Sequence, residues 1–322
     1  MFAVYADSFS SDDPLSGLVV GERPDPEVPD GWARVRVRAA ALNHHDLWSL
    51  KGVGLRREAL PMILGCDAAG VDEDGNEVIV HGVVGDPNWS GDETEDPGRS
   101  LLSERYQGTF ADYVVVPKGN LIPKPASLSF EEAACLPVAW LTAYRMLFVR
   151  GNLKAGDSVL VQGAGGGVAT ALITLARAGG LTVFATSRDA GKRQRALELG
   201  AHAAFESGAR LPQRVDAVME TVGQATWSHS VRSLRPGGVI VISGTTSGPQ
   251  LDDAELTRIF FLQLSVIGST MGTRRELASL VSLLDATGAR PLIDSVLPME
   301  QAREGFAAMA RGDVFGKVVF TR

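Results

Sequence analysis

Residues 158–169 constrain this chain more than any other stretch. Val159-Leu160-Val161 is a short apolar run of the kind found in strands covered on both faces. It passes through Gln162-Gly163-Ala164-Gly165-Gly166-Gly167 into a helical pattern that opens with Val168-Ala169. Glycines at such a turn let backbone amides approach a bound group, and a helix N-terminus offers unpaired N–H groups carrying partial positive charge. A glycine turn alone serves equally to let a helix pack on a strand. The surroundings decide between the two. Strand-like runs at 159–161, 182–186, 203–205, 215–219, 239–242 and 264–267 alternate with helical runs at 168–178, 190–199 and 224–234. Six short strands with helical crossovers predict an α/β fold. Its doubly wound parallel sheet has the glycine turn at the first strand–helix junction, where a dinucleotide pyrophosphate sits.

The second strand ends Ala185-Thr186-Ser187-Arg188, with Lys192 four residues on. A site for NAD usually carries Asp or Glu at this tip to hold both ribose hydroxyls. Ser187 leaves room for a 2′-phosphate, and Arg188 and Lys192 can pair with it. The expected cofactor is therefore NADP(H).

The first third of the chain reads as β-rich. Ala33-Arg34-Val35-Arg36-Val37-Arg38 alternates with period two and predicts a half-buried strand, and 78–80 and 113–116 are further short strands. Residues 85–105 are rich in Gly, Pro, Asp and Glu without periodicity and predict a surface loop. Ser129-Phe130-Glu131-Glu132 is a capping-box pattern that starts a helix, which Pro137 bends or restarts. The last fifty residues predict helices at 274–287 and 300–311 and strands at 293–297 and 317–320.

Charge and composition narrow the function classes. The net charge of −7 argues against a general nucleic-acid binder. The 36 glycines show no period and make no repeat protein. Two cysteines, Cys66 and Cys135, supply neither a disulfide framework nor a four-cysteine zinc site. No secretory signal or membrane-length apolar run is visible, so a cytoplasmic protein with reduced thiols is expected, and Asn88-Trp89-Ser90 is a chance match to a glycosylation acceptor.

Several motifs together resemble the medium-chain dehydrogenase/reductase superfamily over nearly the whole length. They are Ala41-Leu42-Asn43-His44-His45-Asp46, Leu64-Gly65-Cys66-Asp67-Ala68-Ala69-Gly70, Gly108-Thr109-Phe110-Ala111-Asp112-Tyr113, Leu136-Pro137 through Leu141-Thr142-Ala143, the glycine turn, and Gly316-Lys317-Val318-Val319. The resemblance implies a GroES-like β-rich catalytic domain at 1–139, completed by 271–322, and a Rossmann NADP(H)-binding domain at 140–270, with the active-site cleft between them.

In the zinc-dependent branch, the catalytic ligand positions match Asn43, Cys66 and Val138 of this chain. Val138 cannot ligate and Asn43 is a poor zinc ligand, while the lobe that would hold a structural zinc maps to the cysteine-free 85–105. The implied branch is the zinc-free quinone oxidoreductase or enone reductase, with no metal. His44, His45, Cys66 and Asp67 nevertheless leave a rearranged metal site open. Carried over by position, Ala164, Gly165, Gly166, Gly167, Val168 and Ala169 would hold the pyrophosphate, with Lys317 as an added cation. Thr142 would lie beside the nicotinamide, and the backbone of Ser243, Ser269 and Met271 would hold its carboxamide. Asn43 and His45 would line the reacting face, Trp48 would form a flat wall, and Asp46 would orient the loop. His45 is the first candidate to stabilise the anion formed on hydride arrival and Asn43 the second. Trp140, Phe260 and Met271 complete the expected apolar walls of a carbonyl or quinone site. The apolar run 260–268 predicts an edge strand that pairs with its copy in a homodimer. Two other readings stand beside this one: an alcohol dehydrogenase with an atypical zinc site, and a non-catalytic NADPH-binding protein.

Overall fold

The computed structural model describes all 322 residues, which divide into two compact units. The first comprises Met1–Ala139, Met271–Ala286 and Ile293–Arg322; the second comprises Trp140–Thr270 and Thr287–Leu292.

The first unit is built on the strand Trp32–Ala41. Ala33, Val35 and Val37 are buried while Arg36 and Arg38 are exposed, as period-two alternation demands. This strand pairs antiparallel with Ala68–Val71, with Tyr113–Pro117 and with the C-terminal Lys317–Thr321. Glu77–Val80 and Leu121–Pro123 extend the sheet on one side, and Ile293–Pro298 closes the other. The chain's end is thus a central strand of the first unit, which places Lys317 beside Leu42 and Asn43. A smaller sheet joins Leu18–Glu22, Phe2–Ala6 and Met62–Ile63. The core between them holds Val35, Val37, Leu64, Phe110, Phe306 and Phe320 among others.

The second unit is a six-stranded parallel sheet in the order Ala203–Phe205, Thr182–Thr186, Ser158–Val161, Val215–Glu220, Leu234–Ile242, Ser265–Gly268. The sequence order 3-2-1-4-5-6 is that of a doubly wound dinucleotide-binding sheet. Ser158–Val161 is buried along its length, so it sits at the centre with the glycine turn at its carboxyl end.

Three expectations are corrected. Residues 85–105 are not merely a surface loop: Val83–Val84 pairs with Ser100–Leu101, and Leu102 and Ser103 are buried. Around Pro137 the helix does not restart at once: an α-helix resumes only at Leu141–Tyr144. The helix Phe130–Ala134 starts on its capping box, and wider π turns follow over Leu136–Trp140 and again over Arg145–Arg150. Proline removes one i→i−4 bond and crowds the preceding turn, which a wider turn relieves. Finally, Phe260 and Phe261 end the short helix Leu256–Phe261, and the edge strand begins only at Ser265. No helix is long and apolar enough to cross a membrane.

Candidate active site

In the first unit, the helix His44–Leu50 presents the loop residues that the sequence singled out. Asp46 fixes its start. One carboxylate oxygen accepts from the Asn43 amide and the other from the Gly65 amide, both at 2.9 Å. Gly65 has φ +95°, and a Cβ there would lie 2.4 Å from Thr109 Oγ1, so this approach needs glycine. Burial pushes the Asp46 carboxyl up to about 6 against the pull of His45 and those two amides.

Asp67 is the hub of a second, fully buried cluster. Its carboxylate accepts from Asn43 Nδ2 (2.8 Å), the Val138 amide (2.8 Å) and the Lys317 ammonium (3.0 Å). Lys317 Nζ also donates to Asn43 Oδ1 at 2.6 Å and to the Leu42 carbonyl at 2.8 Å. Burial pushes the Asp67 carboxyl up, and Lys317, Asn43 and Val138 pull against it.

Two sequence expectations fall here. Lys317 is not a pyrophosphate cation: all three of its N–H donors are held inside the first unit, and the side chain is only 2% exposed. Asn43 is not a substrate donor: its two amide hydrogens go to Asp67 and to the Ala41 carbonyl.

His45 stands in a third cluster. Its Nε2 lies 3.0 Å from Glu104 Oε1 and its Nδ1 lies 3.5 Å from Cys66 Sγ. The Cys66 thiol donates to the Leu102 carbonyl at 3.0 Å and meets Ser103 Oγ at 3.4 Å. Burial pushes the Cys66 thiol up, further than the neighbouring His45 pulls it down. The carboxylate acting on it is Asp46, whereas Asp67, the neighbour expected to do so, is paired with Lys317. On His45, burial opposes charge but is outweighed by Cys66, then by Glu104 and Asp46, which hold the imidazole well above its ordinary range. The neighbouring His44 goes the other way, lowered by desolvation and then by Lys317 and Lys51. Trp48 is exposed, with the Lys51 ammonium 5.0 Å from its ring centre. Glu104 and Ser103 were missed because they lie in the acidic stretch with no periodicity. The one available signal was that this stretch ends next to the Gly108–Tyr113 motif.

These residues do not fit a catalytic zinc. At the family's ligand positions, Val138 has no ligating side-chain atom and Asn43 is tied into the Asp67–Lys317 cluster. His45, Asp46 and Cys66 do bring ligand atoms within 4.8 Å of one another. Both Asp46 oxygens already hold backbone amides, however.

In the second unit the glycine turn opens the helix Gly167–Ala178. Gly166 is its N-cap, and no side chain caps the first amides. The amide of Ala164 is the exception among the proposed pyrophosphate donors, since it bonds the Thr186 carbonyl at 2.7 Å. Gly165 has φ +140°, and a Cβ there would lie 3.0 Å from Lys192 Cδ, so the lysine stem covers the turn. A cavity of about 750 Å³ is lined by Gly163, Ala164, Ser187, Arg188, Asp189 and Lys192, among others. The expected 2′-phosphate residues are thus brought together at the glycine turn. Arg188 is exposed, and Arg193 braces the backbone by donating to the Ser187 and Arg188 carbonyls.

Thr142 is buried in the helix Leu141–Tyr144. The Ser243 and Ser269 amides bond the Glu220 and Ile242 carbonyls, while Ser269 Oγ is buried without a partner. Met271 is buried at φ +45°. Trp140 is a core residue rather than a wall, fully buried, whereas Phe260 is 69% exposed.

Two family sequence models match: an alcohol dehydrogenase GroES-like domain at residues 29–126 and a zinc-binding dehydrogenase domain at 167–286. A zinc-type alcohol dehydrogenase-like protein of Schizosaccharomyces pombe is 30% identical over 95% of this chain and 96% of its own. This chain belongs to the medium-chain dehydrogenase/reductase superfamily. An acryloyl-coenzyme A reductase of Sulfurisphaera tokodaii is 29% identical over 95% of this chain and 97% of its own. A quinone oxidoreductase of Mus musculus is 26% identical over 86% and 85%. Among solved structures, an NAD-dependent alcohol dehydrogenase is 34% identical, with a TM-score of 0.91 and full coverage of both chains.

Proposed function

We propose that this superfamily member is a zinc-independent, NADPH-dependent oxidoreductase that reduces a quinone or an α,β-unsaturated carbonyl. The observation that carries this reading is the Asp67 cluster. Hydrogen bonds and an internal ammonium tie up Asn43 and the Val138 backbone, two of the family's three ligand positions, which supports a reading without a metal on the substrate. The similarity to an acryloyl-coenzyme A reductase and a quinone oxidoreductase supports the substrate class. Ser187, Arg188 and Lys192 around one cavity support NADPH, although the 34%-identical structure is that of an NAD-dependent enzyme.

When bound, NADPH would supply the hydride for the electrophilic carbon of the substrate, with the balancing proton available from solvent. The open amides at Gly167–Ala169 would hold its pyrophosphate, and Arg188 with Lys192 its 2′-phosphate. Asp46 holds the Asn43–Trp48 loop in place. Both ring nitrogens of His45 face protein partners, so the ring is held in place rather than free to donate.

Turnover of NADPH with a panel of quinones and enones, by protein stripped with a chelator and checked for metal, tests this. Activity that survives stripping, falls in His45→Ala with NADPH binding retained, and persists in Cys66→Ser and Cys135→Ser is the expected result. Activity lost on stripping and restored by zinc would return the chain to the metal-dependent branch.

A further inference from the structure

Gln162 leads from the strand Ser158–Val161 into the glycine turn, yet it is fully buried and does not line the cavity beside it. Its hydrogen bonds have a fixed direction. The Gly163 amide donates to Thr186 Oγ at 3.4 Å, so the hydroxyl hydrogen goes to Gln162 Oε1 at 2.5 Å. Gln162 Nε2 then donates to Ser230 Oγ and to His229 Nδ1, both at 2.9 Å. Accepting at Nδ1, His229 carries its hydrogen on Nε2 and donates it to the Ala209 carbonyl at 2.9 Å. Ser230 passes its hydrogen to Glu220 Oε2 at 2.5 Å. Glu220, fully buried at the end of its strand, also accepts from the Val222 and Gly223 amides and the Thr226 hydroxyl, at 2.8, 3.0 and 2.9 Å. These bonds reach the segments around one cavity. Thr186 precedes Ser187 and holds the Ala164 amide with its carbonyl at 2.7 Å. A Cβ on Gly163 would come 2.6 Å from Val222 Cγ2, so the turn that Glu220 holds packs directly on the glycines. Ser207, Val222 and Thr226 line the cavity together with Gly163, Ala164 and Ser187.

Resting on the reading of this cavity as the NADPH site, we propose that Gln162 is a positioning residue for the cofactor. It ties the glycine turn, the tip of the second strand and the 222–226 turn into one frame that is in place before the cofactor arrives. The polarity of the frame is set from the Glu220 end. A carboxylate only accepts, so Ser230 must point its hydrogen there, Gln162 must present Nε2 to Ser230, and Thr186 must face Oε1. Among side chains of this length, Gln accepts on one side and donates two hydrogens on the other, which this position requires. An apolar residue of the same size would leave Thr186, Ser230 and His229 with polar groups that cannot turn to water. A cavity whose walls are already fixed binds without first having to order them. Gln162 therefore acts on cofactor affinity through Thr186, Ser230 and Glu220, from outside the cavity lining.

Fluorescence titration with NADPH, and amide hydrogen exchange in the cofactor-free full-length protein, test this in Gln162→Leu, Thr186→Val, Gln162→Glu and the double variant Gln162→Glu/Glu220→Gln. The Kd for NADPH should rise about tenfold in Gln162→Leu. It should rise less in Thr186→Val, which keeps the shape of the strand residue and removes only its hydroxyl. In both, kcat at saturating NADPH stays near wild type, and exchange at Gly163, Val222 and Gly223 quickens without cofactor. Gln162→Glu sets two carboxylates on the single Ser230 hydrogen and should weaken NADPH as well. Adding Glu220→Gln turns the Ser230 bonds around, with His229 protonated on both nitrogens, and should recover most of the affinity. A role in packing alone gives no such recovery. Unchanged NADPH affinity in folded Gln162→Leu and Thr186→Val, or a double variant that binds no tighter than Gln162→Glu, overturns the proposal. If the wild-type protein binds neither NADPH nor NADH, the cofactor reading fails instead. Hydrogen exchange then decides the frame by itself: faster exchange at the three amides upholds it, and unchanged exchange overturns it.

Discussion

Two buried groups show how single residues set the pH and charge tolerance of this fold. Cys135 donates to the Glu131 carbonyl at 3.2 Å, and burial pushes its thiol from 9.0 up to about 12. The folded state therefore holds this proton more tightly than the unfolded chain does. The associated stability is complete below pH 9 and is lost as pH rises toward 12, at about 1.4 kcal/mol per unit. Denaturant midpoints measured from pH 8 upward should fall more steeply for wild type than for Cys135→Ala; equal slopes would mean that the thiol ionises freely. Lys317 illustrates the cost of breaking a buried pair. Lys317→Met strands the Asp67 carboxylate and should destabilise by about 3–5 kcal/mol in urea unfolding. Adding Asp67→Asn should recover part of the loss, because the stranded charge is then gone.

Short elements, rather than long ones, hold the candidate site. The helix His44–Leu50 is seven residues long, and its position depends on Asp46 reaching two backbone amides. The glycine turn depends on a conformation, φ +140° at Gly165, that an L side chain rarely adopts. Gly165→Ala should therefore weaken NADPH at least tenfold and also lower the thermal midpoint of the apo-protein, because the folded state carries the strain at the turn. Arg188→Ala, at the tip of the next strand, removes a charge-assisted contact of about 1.5–3 kcal/mol and should weaken NADPH roughly ten- to hundredfold. NADH should be little changed. Equal affinity of the wild-type protein for the two cofactors would overturn the assignment of Ser187, Arg188 and Lys192.

At the level of assembly, the sheet of the second unit ends in an open edge. Ser265–Gly268 pairs only with Leu234–Ile242, and Val266 is exposed on it. Nearby in sequence, Phe260 and Phe261 are 69% and 76% exposed on their helix. An unpaired edge beside exposed aromatics is a site of association unless covered. The expected outcome is a homodimer by light scattering at micromolar concentration, converted to monomer by Val266→Lys. A monomeric wild-type protein would show that this edge tolerates water.

The parallel sheet, its glycine turn and the alternating strand Trp32–Ala41 were legible in the residues because they depend on local periodicity. Strand burial on both faces writes continuous Val and Ile runs, and half-burial writes alternation. The capping box at Ser129 was legible for the same reason, since its partners are three residues apart. The polar clusters were not. Lys317 sits 274 positions from Asn43, so a basic residue in a Gly-Lys-Val motif could equally serve a phosphate or a buried carboxylate. Only the pairing of Lys317–Thr321 with Trp32–Ala41 brings it to Asp67. Glu104 and His45 are 59 positions apart, and nothing local in the acidic stretch distinguishes Glu104 from its solvent-facing neighbours. Periodicity encodes which face of an element avoids water. Which buried charges meet is decided by the folded chain, because a charge taken out of water is tolerated only beside its partner.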